Sequence, residues 1–129
     1  MGVIASIAAA LLLLSAGGAS AQDAAAGEKA FNKCRACHQV GETAKNMVGP
    51  RLNGLFGRKA GSIEGFKYSE ANAKSGVSWD EATFAKYIAD PKAAMPGNRM
   101  VFPGIKNDKE IADLIAFLRQ FAADGKKKN

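Results

Sequence analysis

The sequence predicts an all-α domain of short helices joined by two long loops. A few segments carry helix caps and helical periodicity, none sustains period-two alternation, and two glycine- and proline-framed stretches carry no period at all. At 129 residues the chain has room, once its first stretch is set aside, for one small domain with a thin core.

That first stretch, residues 1–21, has no charged side chain. It holds a largely apolar run from Val3 to Leu14 and ends in Ala19-Ser20-Ala21, the small-x-small form that signal peptidase cuts. It reads as a signal peptide cleaved after Ala21, leaving Gln22 as the mature N-terminus and residues 22–129 as the domain. Met1-Gly2-Val3 lacks the usual Lys or Arg, and the uncharged length approaches a bilayer span, so an uncleaved anchor is the alternative. All 18 basic and 12 acidic side chains then belong to the exported part, which is basic by 18 − 12 = +6.

Asp23 caps a first helix expected to run from Ala24 to Lys33 and to deliver the chain to Cys34. From Gln39 to Lys67 no period survives. A loop this long is uncommon in a compact domain, and this one carries Val48, Leu52, Leu55, Phe56, Ile63 and Phe66, which are expected to pack against something. Ser69 caps a short helical turn closed by Gly76, and Ser78-Trp79-Asp80-Glu81 has the form of a capping box opening a helix with Phe84, Tyr87 and Ile88 on one face. Asp90-Pro91 disfavours continuation, and Pro96-Gly97 and Pro103-Gly104 frame a second loop around Met100. The last helix starts at Asn107, aligns Ile111, Leu114, Ile115 and Leu118, and is expected to stop at Gly125. Beyond it, Lys126-Lys127-Lys128 reads as a solvated, frayed tail, residues 125–129. So little helix cannot enclose a core; a flat apolar cofactor between the loops would supply the missing surface, at about 25 cal/mol per Å² buried.

Cys34-Arg35-Ala36-Cys37-His38 is C-x-x-C-H. Two thiols at this spacing can each add to a haem vinyl group while the adjacent imidazole reaches the iron. Zinc would need further ligands, yet the chain has no other Cys or His. A dithiol oxidoreductase would set C-x-x-C near a βαβ pattern, which is missing, and the spacing argues against a structural disulfide. With His38 the only histidine, two-histidine ligation within the chain is excluded, and Met47, Met95 and Met100 compete for the second axial position. The turn-rich frame favours Met100; periodicity leaves Met95 open. Core filling is the plain alternative for Met47 and Met95.

The C-x-x-C-H run, Val48-Gly49-Pro50-Arg51-Leu52-Asn53-Gly54-Leu55-Phe56-Gly57-Arg58, Gly65-Phe66-Lys67-Tyr68-Ser69, Pro96-Gly97-Asn98-Arg99-Met100-Val101-Phe102 and Asp113-Leu114-Ile115-Ala116-Phe117-Leu118 together carry a resemblance. From about Gly27 to Phe121 the sequence resembles the class I c-type cytochromes, of the mitochondrial and periplasmic bacterial cytochrome c2 type. The resemblance implies the class I cytochrome c fold, wrapped around one covalent haem c. It implies Met100 as the sulfur ligand to iron opposite His38, and the Pro50 carbonyl as acceptor of the other imidazole N–H. It also implies that Arg58, Tyr68 and Trp79 surround a haem propionate, that Asn72, Tyr87 and Asn98 form a polar network near the sulfur, and that Gly27 and Phe31 meet Leu114 and Phe117. For each aromatic, core packing is the plain alternative. The sequence departs from the family at Asn98, where threonine is usual, at Arg99 for lysine and at Pro103 for a small residue.

An iron held by His and Met has no open position, which suits a one-electron carrier rather than an enzyme. The resemblance names a quinol–cytochrome c reductase as donor and a photosynthetic reaction centre or terminal oxidase as acceptor, met in the periplasm by a monomer. Lys33, Lys92, Arg99 and Lys106 would form a basic docking patch, and no basic element interleaved with aromatics suggests nucleic acid. The rivals are a haem peroxidase or gas sensor with a labile sixth ligand, and a redox subunit held at the membrane or dedicated to one dehydrogenase.

Overall fold

Asp23 opens the first helix: its carboxylate accepts the Ala25 and Ala26 N–H groups at 2.9 and 3.2 Å, and α1 runs Ala24–Phe31. This is a computed structural model; it describes Gly2 and residues 22–128, so the proposed signal peptide falls outside the described residues apart from Gly2. Four more helices follow: α2 (Glu70–Ala73), α3 (Glu81–Ala89), α4 (Pro91–Ala94) and α5 (Asp108–Arg119). Among the described residues the only β-pairings are the isolated bridges Lys59 to Ser78 and Phe121 to Lys127.

Three boundaries differ from the sequence reading, and one short helix, α4, is added. α1 ends at Phe31, and residues 32–37 continue as tighter turns. Asp80, not Ser78, caps α3, accepting the Thr83 N–H at 2.7 Å, because the backbone bridge to Lys59 holds residues 77–79 extended and the helix starts only after it. Asp90 ends α3 and at once caps α4 with Pro91 at its start, where proline's missing N–H costs nothing. α5 stops at Arg119, well before Gly125. The tail does not fray over residues 125–128: Lys128 N–H donates to Gln120 O at 2.7 Å, Ala122 N–H to Lys126 O at 2.9 Å, and the Lys127 ammonium lies 5.9 Å from the Phe121 ring centre. Backbone bonds and a cation over an aromatic face hold what charge alone would release.

α1 crosses α5 at Gly27. A Cβ there would fall 1.9 Å from Asp113 O and 2.8 Å from Phe117 Cβ. Hydrogen in place of a side chain lets the axes approach until the Phe31 and Phe117 rings stand 5.3 Å apart. Phe117 in turn meets Phe121 edge-on at 5.3 Å, and Phe31, Leu114, Leu118 and Pro91 are the most deeply buried large side chains.

Buried Asp113 locks this crossing, accepting from Asp23 N–H at 2.9 Å and from the Lys109 ammonium at 2.9 Å. The Lys109 hydrogen bond, then that of Asp23, holds its carboxyl below the ordinary value of 3.8. A depressed folded value makes Asp113 stabilising above the unfolded pKa, and that contribution is lost as pH falls through the folded one. The stability gap between wild type and Asp113→Asn should therefore be constant near neutrality and close below about pH 4. Urea unfolding over a pH series measures it; a gap independent of pH would contradict the assignment.

The loop from Gln39 to Ser69 is held by side-chain amides. Buried Asn53 accepts from Gly41 N–H and donates to Gly41 O, at 2.9 and 2.8 Å. Asn46 accepts from Arg51 N–H and donates to Glu64 O. Gly57 N–H to Trp79 O, Trp79 N–H to Arg58 O and Ala60 N–H to Val77 O tie the loop to the approach to α3. Leu55 is buried, and Leu52 and Phe56 pack half-buried against the core. Val48 contradicts the expectation of packing: it is 76% exposed, and its neighbour Met47 is exposed too, with its sulfur accepting from the Gln39 amide.

Candidate haem and iron-ligand site

After α1 the backbone makes one further helical turn: Cys37 N–H donates to Cys34 O at 3.1 Å and His38 N–H to the same oxygen at 2.9 Å. Residues three and four apart on such a turn share a face, so both thiols and the imidazole are presented together. No disulfide joins the cysteines. Burial pushes the Cys34 thiol up to about 11. That is opposite to the lowered value that a redox dithiol or a thiolate metal ligand uses.

Pro50 and Gly49 place the His38 ring. Nδ1 lies 2.8 Å from Pro50 O, so the proton sits on Nδ1 and the Nε2 lone pair is left for a metal. Burial holds the imidazole below its ordinary value of 6.5, which keeps it neutral at physiological pH. A Cβ on Gly49 would lie 2.2 Å from the ring Cε1, so the residue must be glycine for the ring to stand where it does. Gly49 appeared in the sequence as part of a motif, but its contact with His38 depends on a turn spanning residues 39–49, which no local pattern reveals.

Met95 and Met100 separate cleanly. Met95 is buried at 5% exposure within the core, whereas Met100 is half-buried at its edge, 3.8 Å from the Tyr87 hydroxyl, which donates to its sulfur. Burial raises the Tyr87 phenol, so it stays a donor. The Tyr87 ring packs edge-on to Trp79, with centres 4.9 Å apart. Asn98 accepts the Met100 N–H at 2.8 Å.

The polar residues around this site have the following partners within the chain. Arg58 donates to Arg51 O and Asn53 O, at 3.1 and 2.9 Å, and not to Tyr68 or Trp79. The Tyr68 hydroxyl accepts the Ile63 N–H at 3.1 Å. Both Asn98 amide protons go to backbone carbonyls of Pro91 and Met95, so they are not available to a wider network. Asn72 Oδ1 is buried and has no partner among the described residues.

These features fit a covalently held haem. Arg58 is a half-buried cation with no carboxylate within 4.0 Å among the described residues, and burial lowers its pKa. An uncompensated, partly buried cation suits an anionic, hydrogen-bonding group such as a propionate, while the unpartnered Asn72 oxygen calls for a hydrogen-bond donor. Cys34, Val40, Leu52, Phe56, Ala71, Met100 and Phe102 lie against the core yet are only partly covered, which suits a flat apolar partner. The expected basic patch is partly engaged within the chain: Lys33 pairs with Glu110, the Lys106 ammonium bonds Ala89 O, and Arg99 donates to Lys67 O at 3.3 Å, while Lys92 is exposed.

Comparison with known proteins agrees with this geometry. The Cytochrome c family model matches residues 24–122. The chain is 55% identical to a cytochrome c2 of Blastochloris viridis over 118 residues, 92% of this chain and 93% of that protein. It is 63% identical to a cytochrome c2 of Rhodoplanes tepidamans over 107 residues, 83% of this chain and all of that protein. The solved structure of cytochrome cH from Methylobacterium extorquens superposes with a TM-score of 0.71 at 51% identity, covering 75% of this chain and 97% of that one. With a family match running from the first residue of α1 to just beyond α5, the chain belongs to the cytochrome c family, whose members bind one covalent haem c and act as electron carriers rather than enzymes.

Proposed function

We propose that this cytochrome shuttles single electrons in the periplasm, from a quinol–cytochrome c reductase to a photosynthetic reaction centre or terminal oxidase. In this reading residues 1–21 are removed on export, and N-terminal sequencing of the exported protein should begin at Gln22. Cys34 and Cys37 hold the haem through thioether bonds, and His38 and Met100 hold the iron. Pro50 orients the imidazole; Arg58, Tyr68, Asn72, Trp79, Tyr87 and Asn98 line the pocket or its supports. Among the described residues no helix is long and apolar enough to cross a membrane. The relatives that support the reading are named cytochrome c2.

When bound, the haem supplies an iron that gains and loses one electron. The chain's own part would be to hold the iron with the His38 imidazole and the Met100 sulfur, leaving no place for water. The observation that carries this reading is the contrast between the methionines, Met95 packed in the core and Met100 at its edge under the Tyr87 hydroxyl. Lys92, with the remaining excess of positive charge, would steer the carrier toward acidic docking faces in a salt-sensitive way.

The test is the optical spectrum of the oxidised holoprotein, where a weak near-infrared band reports sulfur bound to ferric iron. Met100→Leu should abolish the band and open the reduced iron to carbon monoxide; Met95→Leu should keep the band and cost about 1 kcal/mol of stability as a volume-conserving core change. A wild type that lacks the band and binds carbon monoxide readily would instead favour a peroxidase or gas sensor.

A further inference from the structure

We propose that Asn98 is a positioning residue that pins the Met100 loop to the protein core and thereby sets how slowly the sulfur leaves the iron; this rests on Met100 being the ligand. Asn98 Nδ2 donates to Pro91 O and to Met95 O, each at 2.8 Å, and Oδ1 accepts the Met100 N–H at 2.8 Å. Only one orientation of the amide satisfies all three, because carbonyls need its nitrogen and an N–H needs its oxygen.

The anchor is rigid. Pro91 is among the most deeply buried side chains and Met95 is 5% exposed, so the two accepting carbonyls belong to residues set in the core. The other inner ties of the loop it holds are the long Tyr87 hydroxyl bond to the Met100 sulfur, at 3.8 Å, and Phe102 half-buried against the core. Arg99 reaches only the exposed Lys67 carbonyl, Val101 is 96% exposed, and the chain is not deeply buried again until Ile105 at 2%. The Asn98 amide is thus the side chain that ties the Met100 backbone, rather than its sulfur, to the core. Threonine, usual in the family at this position, offers one hydroxyl and cannot make all three bonds.

For another ligand to enter, the sulfur must swing away with its electron pair, and the loop must move with it. Each hydrogen bond lost in that movement changes the equilibrium by roughly two- to tenfold. Removing the set should speed opening on the order of 10- to 100-fold. Asn98 touches neither the iron nor a partner in this account; it acts through Met100.

The experiment mixes oxidised holoprotein with excess imidazole and follows the loss of the near-infrared band. At saturating imidazole the rate reads loop opening. Asn98→Ala should raise the saturating rate roughly 10- to 100-fold, Asn98→Thr by less, and Asp113→Asn, which loosens the distant α1–α5 crossing, by under about twofold. An Asn98→Ala rate within about twofold of wild type, with the band intact, would overturn the proposal. So would an equal acceleration in Asp113→Asn, since general loosening would then explain both. If Asn98→Ala does not accumulate, Asn98→Thr carries the same comparison against wild type. A wild type without the band removes Met100 ligation and the pin with it, and is thereby told apart from failure of the pin alone.

Discussion

Gly27→Ala should lower the stability of the folded chain by about 1–2 kcal/mol and its Tm by roughly 5–15 °C. The new methyl would sit 1.9 Å from the Asp113 carbonyl oxygen, a backbone atom with nowhere to go. Alanine gains about 1 kcal/mol over glycine in helix propensity, but overpacking at a fixed backbone costs more, so the net sign is unfavourable. The helices must part, and with them go the Phe31–Phe117 contact and the Asp23–Asp113 hydrogen bond. Thermal unfolding followed by circular dichroism decides it. An unchanged or raised Tm would contradict a crossing this close at Gly27.

Gly49→Ala should leave the helices folded while destroying the ligand geometry. Its methyl would approach His38 Cε1 to 2.2 Å, whereas ordinary contact begins at 3.4 Å, so the ring must shift by about 1 Å. Metal–ligand bonds tolerate only about 0.2 Å. The ring is also tethered at Nδ1 to Pro50 O, so it cannot slide and keep both bonds. The expected result is a holoprotein with native helical circular dichroism, loss of the six-coordinate low-spin spectrum in most molecules, and reduced haem incorporation. A wild-type spectrum in this variant would show that Gly49 does not set the ring.

The helix starts at Asp23, Ser69 and Asn107 were legible because capping is a local transaction between one side chain and an N–H two or three residues on. The start at Ser78 was misread for a non-local reason. Its backbone pairs with Lys59, across a loop, and Asp80 takes the cap. The lysine-rich tail is solvated, as composition predicts, with Lys126, Lys127 and Lys128 exposed, but it is not frayed, because the return of residues 120–128 is made by backbone bonds that charge does not encode.

The candidate site divides along the same line. Cys34, Cys37 and His38 were legible because their chemistry depends on spacing within five residues. Met100 could be favoured but not separated from Met95 by pattern, since both lie in irregular chain and only packing tells which is in the core.

By itself, the sequence determined the all-α class, the C-x-x-C-H turn and the apolar stripe of α5, all of which follow from interactions between residues a few positions apart. Only the tertiary structure decided that Gly27 meets Asp113, that Gly49 abuts His38, that Lys33 pairs with Glu110 and that the Asn98 amide joins Met100 to Pro91 and Met95. These contacts exist because loop closure brings particular backbone atoms within about 3 Å, and whether a side chain finds a carbonyl, an N–H or a ring there depends on the whole path of the chain.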